Sequence, residues 1–293
     1  FIKGNIDYDI VSDYLMNQLG YSIDKVISNN RYLILKISKD SVNYIFKMSS
    51  SEGINNTLLN EYSFNMLVSN NEYISVPHVY DQGNIEGLEY IITNFFEGKK
   101  LSSILSKVNG LVIENLVKTA LYIDSYTGKY TYRNEIEDRE GEVYEKVSSK
   151  ADKYIEVSKR FISEVDKKYK LEPLLSILEN YRDMDKIGFC HNEFDPENII
   201  INNSNIYLFH GERASGRSPK YFDIAVMYEK LYCSYSLPNV ANLFLRIFMD
   251  NISKNDIEYV KMAIKTMITS RLIGGYWEYS TGFKKDINML EEL

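Results

Sequence analysis

The densest polar stretch of the chain is His191-Asn192-Glu193-Phe194-Asp195-Pro196-Glu197-Asn198, bounded by apolar runs at Ile187 to Cys190 and Ile199 to Ile201. Carboxylates accept protons, and carboxylate and amide oxygens suit hard cations, so these residue types are those of proton transfer and cation-assisted chemistry. Apolar runs on both sides hold such a loop rigidly at the edge of a core, where catalytic groups are commonly placed. A second polar stretch, His210-Gly211-Glu212, follows two short β runs that bracket Asn202-Asn203-Ser204-Asn205. That pattern predicts a hairpin, so the two polar stretches lie at its two ends and can face one site.

The elements that position these loops divide into a strand-rich part and a helix-rich part. Asp9 to Leu19 has helical spacing and Gly20 as its stop. Three β runs follow, Ser22 to Ile27, Tyr32 to Ile37 and Val42 to Met48, separated by Ser28-Asn29-Asn30 and Lys39-Asp40-Ser41, as in an antiparallel meander. A helix over Asn55 to Leu67 and strands at Val79-Tyr80 and Glu89 to Phe95 complete this part. Helical periodicity then dominates: Leu101 to Leu105, Leu111 to Ile123, Glu142 to Val165, Leu171 to Tyr181, Phe222 to Tyr232, Val240 to Met249 and Asp256 to Tyr276. The composition changes near Asn94 to Gly98. The reading is a bilobal α+β chain, with an antiparallel-sheet lobe over residues 1–93, a hinge at 94–98 and a helical lobe over 99–293.

Composition limits what such a chain does. Its 293 residues carry 34 Lys plus Arg against 41 Asp plus Glu, a net charge of -7, which lacks the basic surplus a duplex-neutralising protein needs. With 44% hydrophobic and 26% charged residues it buries a sizeable core. Apolar stretches such as Leu88 to Phe96 fall well short of a membrane span. Two cysteines, Cys190 and Cys233, both in apolar contexts, make no disulfide framework, and a cytoplasmic setting is expected.

Phe189 to Asn198 resembles the HxDxxxxN catalytic loop of the aminoglycoside phosphotransferase and choline kinase family, a branch of the protein-kinase-like fold. His191 falls on the motif His and Asn198 on the motif Asn. Leu208 to Ser215 resembles the family's metal-binding stretch, and Pro219 to Ala225 its following Asp-containing stretch. Tyr44-Ile45-Phe46-Lys47 is similar to the strand bearing the nucleotide lysine, and Asn60-Glu61-Tyr62 to the helix bearing its glutamate partner. These matches occur in the family's order from about Ser22 to Ala225.

The resemblance implies the protein-kinase-like fold and transfer of the γ-phosphate of ATP to a hydroxyl of a small polar molecule. It implies Lys47 on the nucleotide phosphates and Glu61 holding its ammonium. Ser28 stands in the phosphate loop, and the backbone of Asn94 and Phe96 at the adenine edge. Asn198 would ligate Mg2+, with Mn2+ as the alternative, and Glu193 would orient the acceptor hydroxyl and take its proton, with His191 as organiser. Phosphoryl transfer relies mainly on positioning and cations, which is what these residue types supply.

Two departures stand beside these matches. The motif's catalytic Asp is Glu193, and its metal-binding Asp is His210. An imidazole suits manganese or zinc better than magnesium, which leaves Glu212 and Asp195 as rescuing carboxylates. Two functions follow: a small-molecule kinase, and a pseudokinase scaffold that has lost its metal. Taken singly, the same residues have plainer readings: Lys47 as a snorkelling strand lysine, Glu61 as a solvated helix residue, Asp223 as a structural brace of the catalytic loop, and both cysteines as core hydrophobes.

Overall fold

The computed structural model describes residues 7–27, 31–69, 74–126, 176–177, 179–180 and 187–277. The expected positions at Ser28 to Asn30, the helix over Glu142 to Val165 and most of that over Leu171 to Tyr181 lie outside them. The chain folds as two compact units. The segment Ile200–Ala214 belongs with the N-terminal unit, which ends at Lys99.

The first unit opens with helix α1 (Tyr8–Asp13), which continues as a π-helical turn over Tyr14–Gln18. Asp7 caps it, its carboxylate accepting the Asp9 and Ile10 N–H groups at 3.0 and 3.4 Å. Strands β1 (Ser22–Val26), β2 (Tyr32–Lys39), β3 (Val42–Ser49), β4 (Val79–Ile85) and β5 (Leu88–Asn94) form one antiparallel sheet in the order β1-β2-β3-β5-β4. Helix α2 (Glu52–Val68) joins β3 to β4. Two tight turns set the register. Asp40-Ser41 and Glu86-Gly87 all have positive φ, the twist that two-residue hairpins require.

Strand alternation sorts the side chains. Leu33, Leu35, Ile37, Phe46, Met48, Tyr90 and Ile92 point to one face and are sealed by Val11 of α1 and Leu15 of the π-helical turn that continues it. The other face carries Tyr32, Ile34 and Ile91, which pack on Leu58, Ile54 and Tyr62 of α2. Lys47 is on that second face, with its register partner Ile34. A fully buried Leu or Ile contributes about 1.5 to 3 kcal/mol, so each face strongly resists a one-residue slip that would expose its set.

The second unit contains strand β6 (Lys99–Lys100) in part and helices α3 (Leu101–Ile104) and α4 (Gly110–Ser125). Strand β7 (Ile187–Cys190) leads into the 191–198 loop and pairs with β10 (Ser215–Pro219). Between them in sequence, β8 (Ile199–Asn202) and β9 (Asn205–Leu208) form the expected hairpin, which from Ile200 onward belongs to the first unit, its turn at Asn203-Ser204 again with two positive φ angles. Helices α5 (Phe222–Glu229), α6 (Pro238–Asp250) and α7 (Ile257–Trp277) complete the unit. Leu116, Ala120, Phe244, Phe248, Tyr259 and Ile264 are buried in its core. Cys190 and Cys233 are buried free thiols. Among the described residues, no helix is long and apolar enough to cross a membrane.

Candidate functional site

The first unit carries a buried charge cluster. Lys47, on the α2 face of the sheet, is 5% exposed, and its Nζ lies 2.5 Å from Glu61 Oε2 and 2.7 Å from Glu212 Oε1. The ring centroid of Tyr32 is 4.0 Å from the same ammonium. Burial alone would pull the lysine down, but Glu61 and Glu212 hold it above its ordinary value, so it is charged.

Glu212 is engaged on both sides. Its Oε2 meets Arg31 Nη1 at 3.1 Å while Oε1 holds Lys47, and His210 Nδ1 lies 3.7 Å from Oε1. Burial would raise this carboxyl, yet His210, Lys47 and Arg31 hold it well below the usual carboxylate range. Tyr32, between the charges, has its phenol pushed above its ordinary range by burial and by Glu212 and Glu61.

The turn bearing Glu212 is fixed by α2. Asn60 and Phe64 are one helical turn apart and both buried, on the side of α2 that meets the 209–214 turn. The Asn60 Nδ2 donates to the carbonyls of Gly211, Glu212 and Ala214 at 3.1, 2.8 and 3.2 Å. Gly211 lies so close to Phe64 that a Cβ there would overlap the ring. His210 adopts a left-handed conformation, φ 63°, which turns the chain into this close approach.

At the strand ends, Asn94 donates its N–H to the His78 carbonyl at 3.2 Å and accepts the His78 N–H on Oδ1 at 2.8 Å. Asn94 therefore ties the end of β5 to the residue that leads into β4. Phe96 packs its ring on Tyr207 and Phe209, with centroids 4.1 and 5.6 Å away.

The second unit carries the 191–198 loop. Asp223, buried on α5, accepts the N–H groups of His191 and Asn192 at 2.6 and 2.7 Å, one on each carboxylate oxygen. Its reading as a brace is the geometry observed. His191 is fully buried, and Asn192 is in the left-handed region. Asn198 Nδ2 donates to the Glu193 carbonyl at 2.9 Å, which turns Oδ1 the other way. Glu193 is half-buried.

Asp195 is engaged within its own loop and with Lys230. Its Oδ1 accepts the Glu197 N–H at 2.6 Å, capping the 3-10 turn at Pro196–Asn198, and its Oδ2 is 3.5 Å from Lys230 Nζ. Glu212 carries the other expected part, that of a rescuing metal ligand. Glu61, His210 and Glu212 do bring three ligand atoms within 4.8 Å of one another. The Lys47 ammonium already lies against both carboxylates, and Arg31 takes the outer oxygen. Magnesium wants several oxygen ligands in near-octahedral array, so a set of two cation-paired carboxylates and an imidazole fits it poorly.

Three members of the cluster, Arg31, Tyr32 and Asn60, had no assigned part in the sequence reading. A faint signal exists for two of them: Arg31 is a cation directly after the turn where a phosphate loop would stand, and Asn60 precedes the paired glutamate.

This arrangement sits on a protein-kinase-like fold, with an antiparallel sheet in one unit and helices dominating the other. Solved structures extend the likeness along nearly the whole chain. A thermostable mutant of aminoglycoside phosphotransferase APH(4)-Ia, in ternary complex with AMP-PNP and hygromycin B, is similar with a TM-score of 0.63 at 12% identity, covering 96% of this chain and 97% of that one. The GDP and kanamycin complex of APH(2")-IIia gives 0.62 at 12% identity, covering 98% of each chain. The GDP complex of wild-type aminoglycoside 2'-phosphotransferase-IIIa gives 0.61 at 13%, covering 96% of each. No family profile matches the chain, and no curated protein sequence does.

Proposed function

We propose that this protein is a nucleotide-dependent phosphotransferase that moves the γ-phosphate of ATP to a hydroxyl of a small polar molecule. The observation that carries this reading is the buried Lys47–Glu61 pair at 2.5 Å, a fixed positive charge on the sheet face held by a helix carboxylate. Burial of such a pair without a use is costly, and a polyanionic ligand supplies the use. Solved structures of the same fold hold AMP-PNP or GDP with aminoglycosides, which supports a nucleotide and a small hydroxylated acceptor here.

In this reading Lys47 binds phosphate and Glu61 orients it. Asn198 presents its amide oxygen toward the transferring group, and Glu193 accepts the acceptor's proton. His191 and Asp223 hold the loop. Phe96 and its aromatic neighbours offer an apolar flank for a base. The donor set fits magnesium poorly, so no step is assigned to it.

The test is calorimetric titration with ATP and GTP, followed by a phosphate-transfer assay against aminoglycosides, choline and sugars. Glu193→Gln should abolish transfer and keep nucleotide affinity; unchanged transfer removes Glu193 from the mechanism. A second reading, a pseudokinase scaffold, is favoured by His210 at the metal-binding position. Robust transfer by the unmodified chain rules it out, and nucleotide binding with no transfer to any acceptor supports it.

A further inference from the structure

Two cations of this chain, Lys47 and Arg31, converge on one carboxylate. Glu212 accepts Lys47 on one oxygen at 2.7 Å and Arg31 on the other at 3.1 Å. The ring of Tyr32 faces both, 4.0 Å from the lysine nitrogen and 5.4 Å from the guanidinium carbon. Two cations bridged by a two-oxygen anion is also how a phosphoryl group is held, with a guanidinium matching two of its oxygens. Lys47 and Glu212 are each 5% exposed, whereas the Arg31 side chain is 37% exposed, so the cluster opens to solvent on the arginine side.

From this we infer that Glu212 is a built-in stand-in for phosphate, and that Arg31 is a second phosphate-binding residue beside Lys47. A phosphoryl group of the ligand displaces the Glu212 carboxylate and takes its place on both cations. The inference rests on the nucleotide reading for its natural ligand, while the site itself is defined by phosphoryl chemistry, free or nucleotide-borne.

The charges balance with Glu212 in place: Lys47 and Arg31 against Glu61 and Glu212. Turning the Glu212 side chain outward leaves one positive charge in excess, which a phosphate matches. Asn60 holds the backbone of Gly211, Glu212 and Ala214, so the exchange is a rotation of one side chain rather than a movement of the loop. The chain thus supplies its own counter-cation for phosphate, where magnesium fits poorly.

The test is titration of the full chain with ATP, with inorganic tripolyphosphate and with adenosine, all with EDTA present. Glu212→Gln keeps the shape and removes the competing charge. It should tighten ATP and tripolyphosphate by about tenfold or more, the scale of one charge-assisted bond. Arg31→Gln should weaken both polyanions by about the same factor, and adenosine should be unaffected in both variants. Retained adenosine affinity also reports that each variant is folded, and Glu212→Ala gives a second variant with the charge removed. Weaker or unchanged polyanion binding in both Glu212 variants overturns the inference while leaving the nucleotide reading intact. Tripolyphosphate tightening without any ATP or adenosine binding upholds the inference and defeats that reading. If neither polyanion binds any form of the protein, both fall.

Discussion

The side-chain amide of Asn60 donates to the backbone carbonyl of Glu212 at 2.8 Å, while the carboxylate of the same Glu212 holds Lys47 at 2.7 Å. Helix α2 therefore governs Lys47 twice, directly through Glu61 and indirectly through the turn that Asn60 anchors. The lysine, the helix and the 209–214 turn form one mechanical unit, and a shift in any of them is felt at the ammonium.

Replacing Asn60 tests that coupling. Asn60→Ala deletes one donor that serves three carbonyls, and buried carbonyls left unsatisfied cost about 1 to 3 kcal/mol. Asn60→Asp should be worse, because a carboxylate would face the same carbonyls. Chemical denaturation gives the stability, and ATP affinity should fall in both variants. A variant that loses stability with unaltered ATP affinity would reduce Asn60 to a purely structural clamp.

Gly211 meets Phe64 so closely that Gly211→Ala overpacks the contact, at a cost of about 1 to 3 kcal/mol. Phe64→Leu on its own creates a loss of packing. Combined, the two changes should offset one another, giving a double mutant more stable than the sum of the singles implies. Strict additivity in urea unfolding would mean that the Phe64 ring moves aside freely.

Much of the first unit was legible in the chain because its signals are local. Leu33, Leu35 and Ile37 alternate with Ile34 and Lys36, and Asp40-Ser41 turns the strand back, so register and face follow from a few residues. Lys47 and Glu61 were legible by their order. Strand β4 was not, beyond Val79-Tyr80: Asp81, Gln82, Gly83 and Asn84 have poor strand propensity, and an edge strand paired on one side tolerates them. Strand β10, Ser215 to Pro219, owes its form to pairing with β7 and not to its own residues. Asn60 and Arg31 act on partners far along the chain, Asn60 and Gly211 being 151 positions apart, and such contacts leave no trace in local pattern.

The brace at Asp223 gives a further outcome to measure. Each of its oxygens takes one loop N–H, at 2.6 and 2.7 Å. Asp223→Asn replaces one acceptor by a donor, which must turn away from an N–H it cannot pair. Loss of a hydrogen bond to a charged group costs about 1.5 to 3 kcal/mol, and a loop displaced by about 1 Å loses on the order of 100-fold in rate. Hydrogen exchange should show faster exchange at the His191 or Asn192 amide, with phosphate transfer reduced in parallel. Protected amides together with unimpaired transfer would remove Asp223 from the loop's support.

Asp124, on α4, supplies a pH dependence with a defined sign. Burial pushes its carboxyl up to about 6 from 3.8, against the pull of Lys220, whose Nζ is 3.7 Å from Oδ2. A carboxyl raised on folding binds its proton more tightly in the native state. Its contribution is therefore fully present below the unfolded value near 3.8 and is lost as pH rises through about 6. That gap corresponds to at most about 3 kcal/mol. Glu212 works in the opposite sense, since its depressed carboxyl contributes above the ordinary glutamate value and is lost in acid. Comparison of the wild type with Asp124→Asn isolates the aspartate term, because the asparagine resembles the protonated acid and does not titrate. Urea denaturation from about pH 4 to about pH 7.5 should show the variant gaining on the wild type by about 2 kcal/mol, with the change centred at about pH 5, midway between the unfolded and folded values, and nearly complete above about pH 6. A difference that stays constant across this range would mean that Asp124 is ionised in the folded protein as readily as in the unfolded chain, with Lys220 fully offsetting its burial.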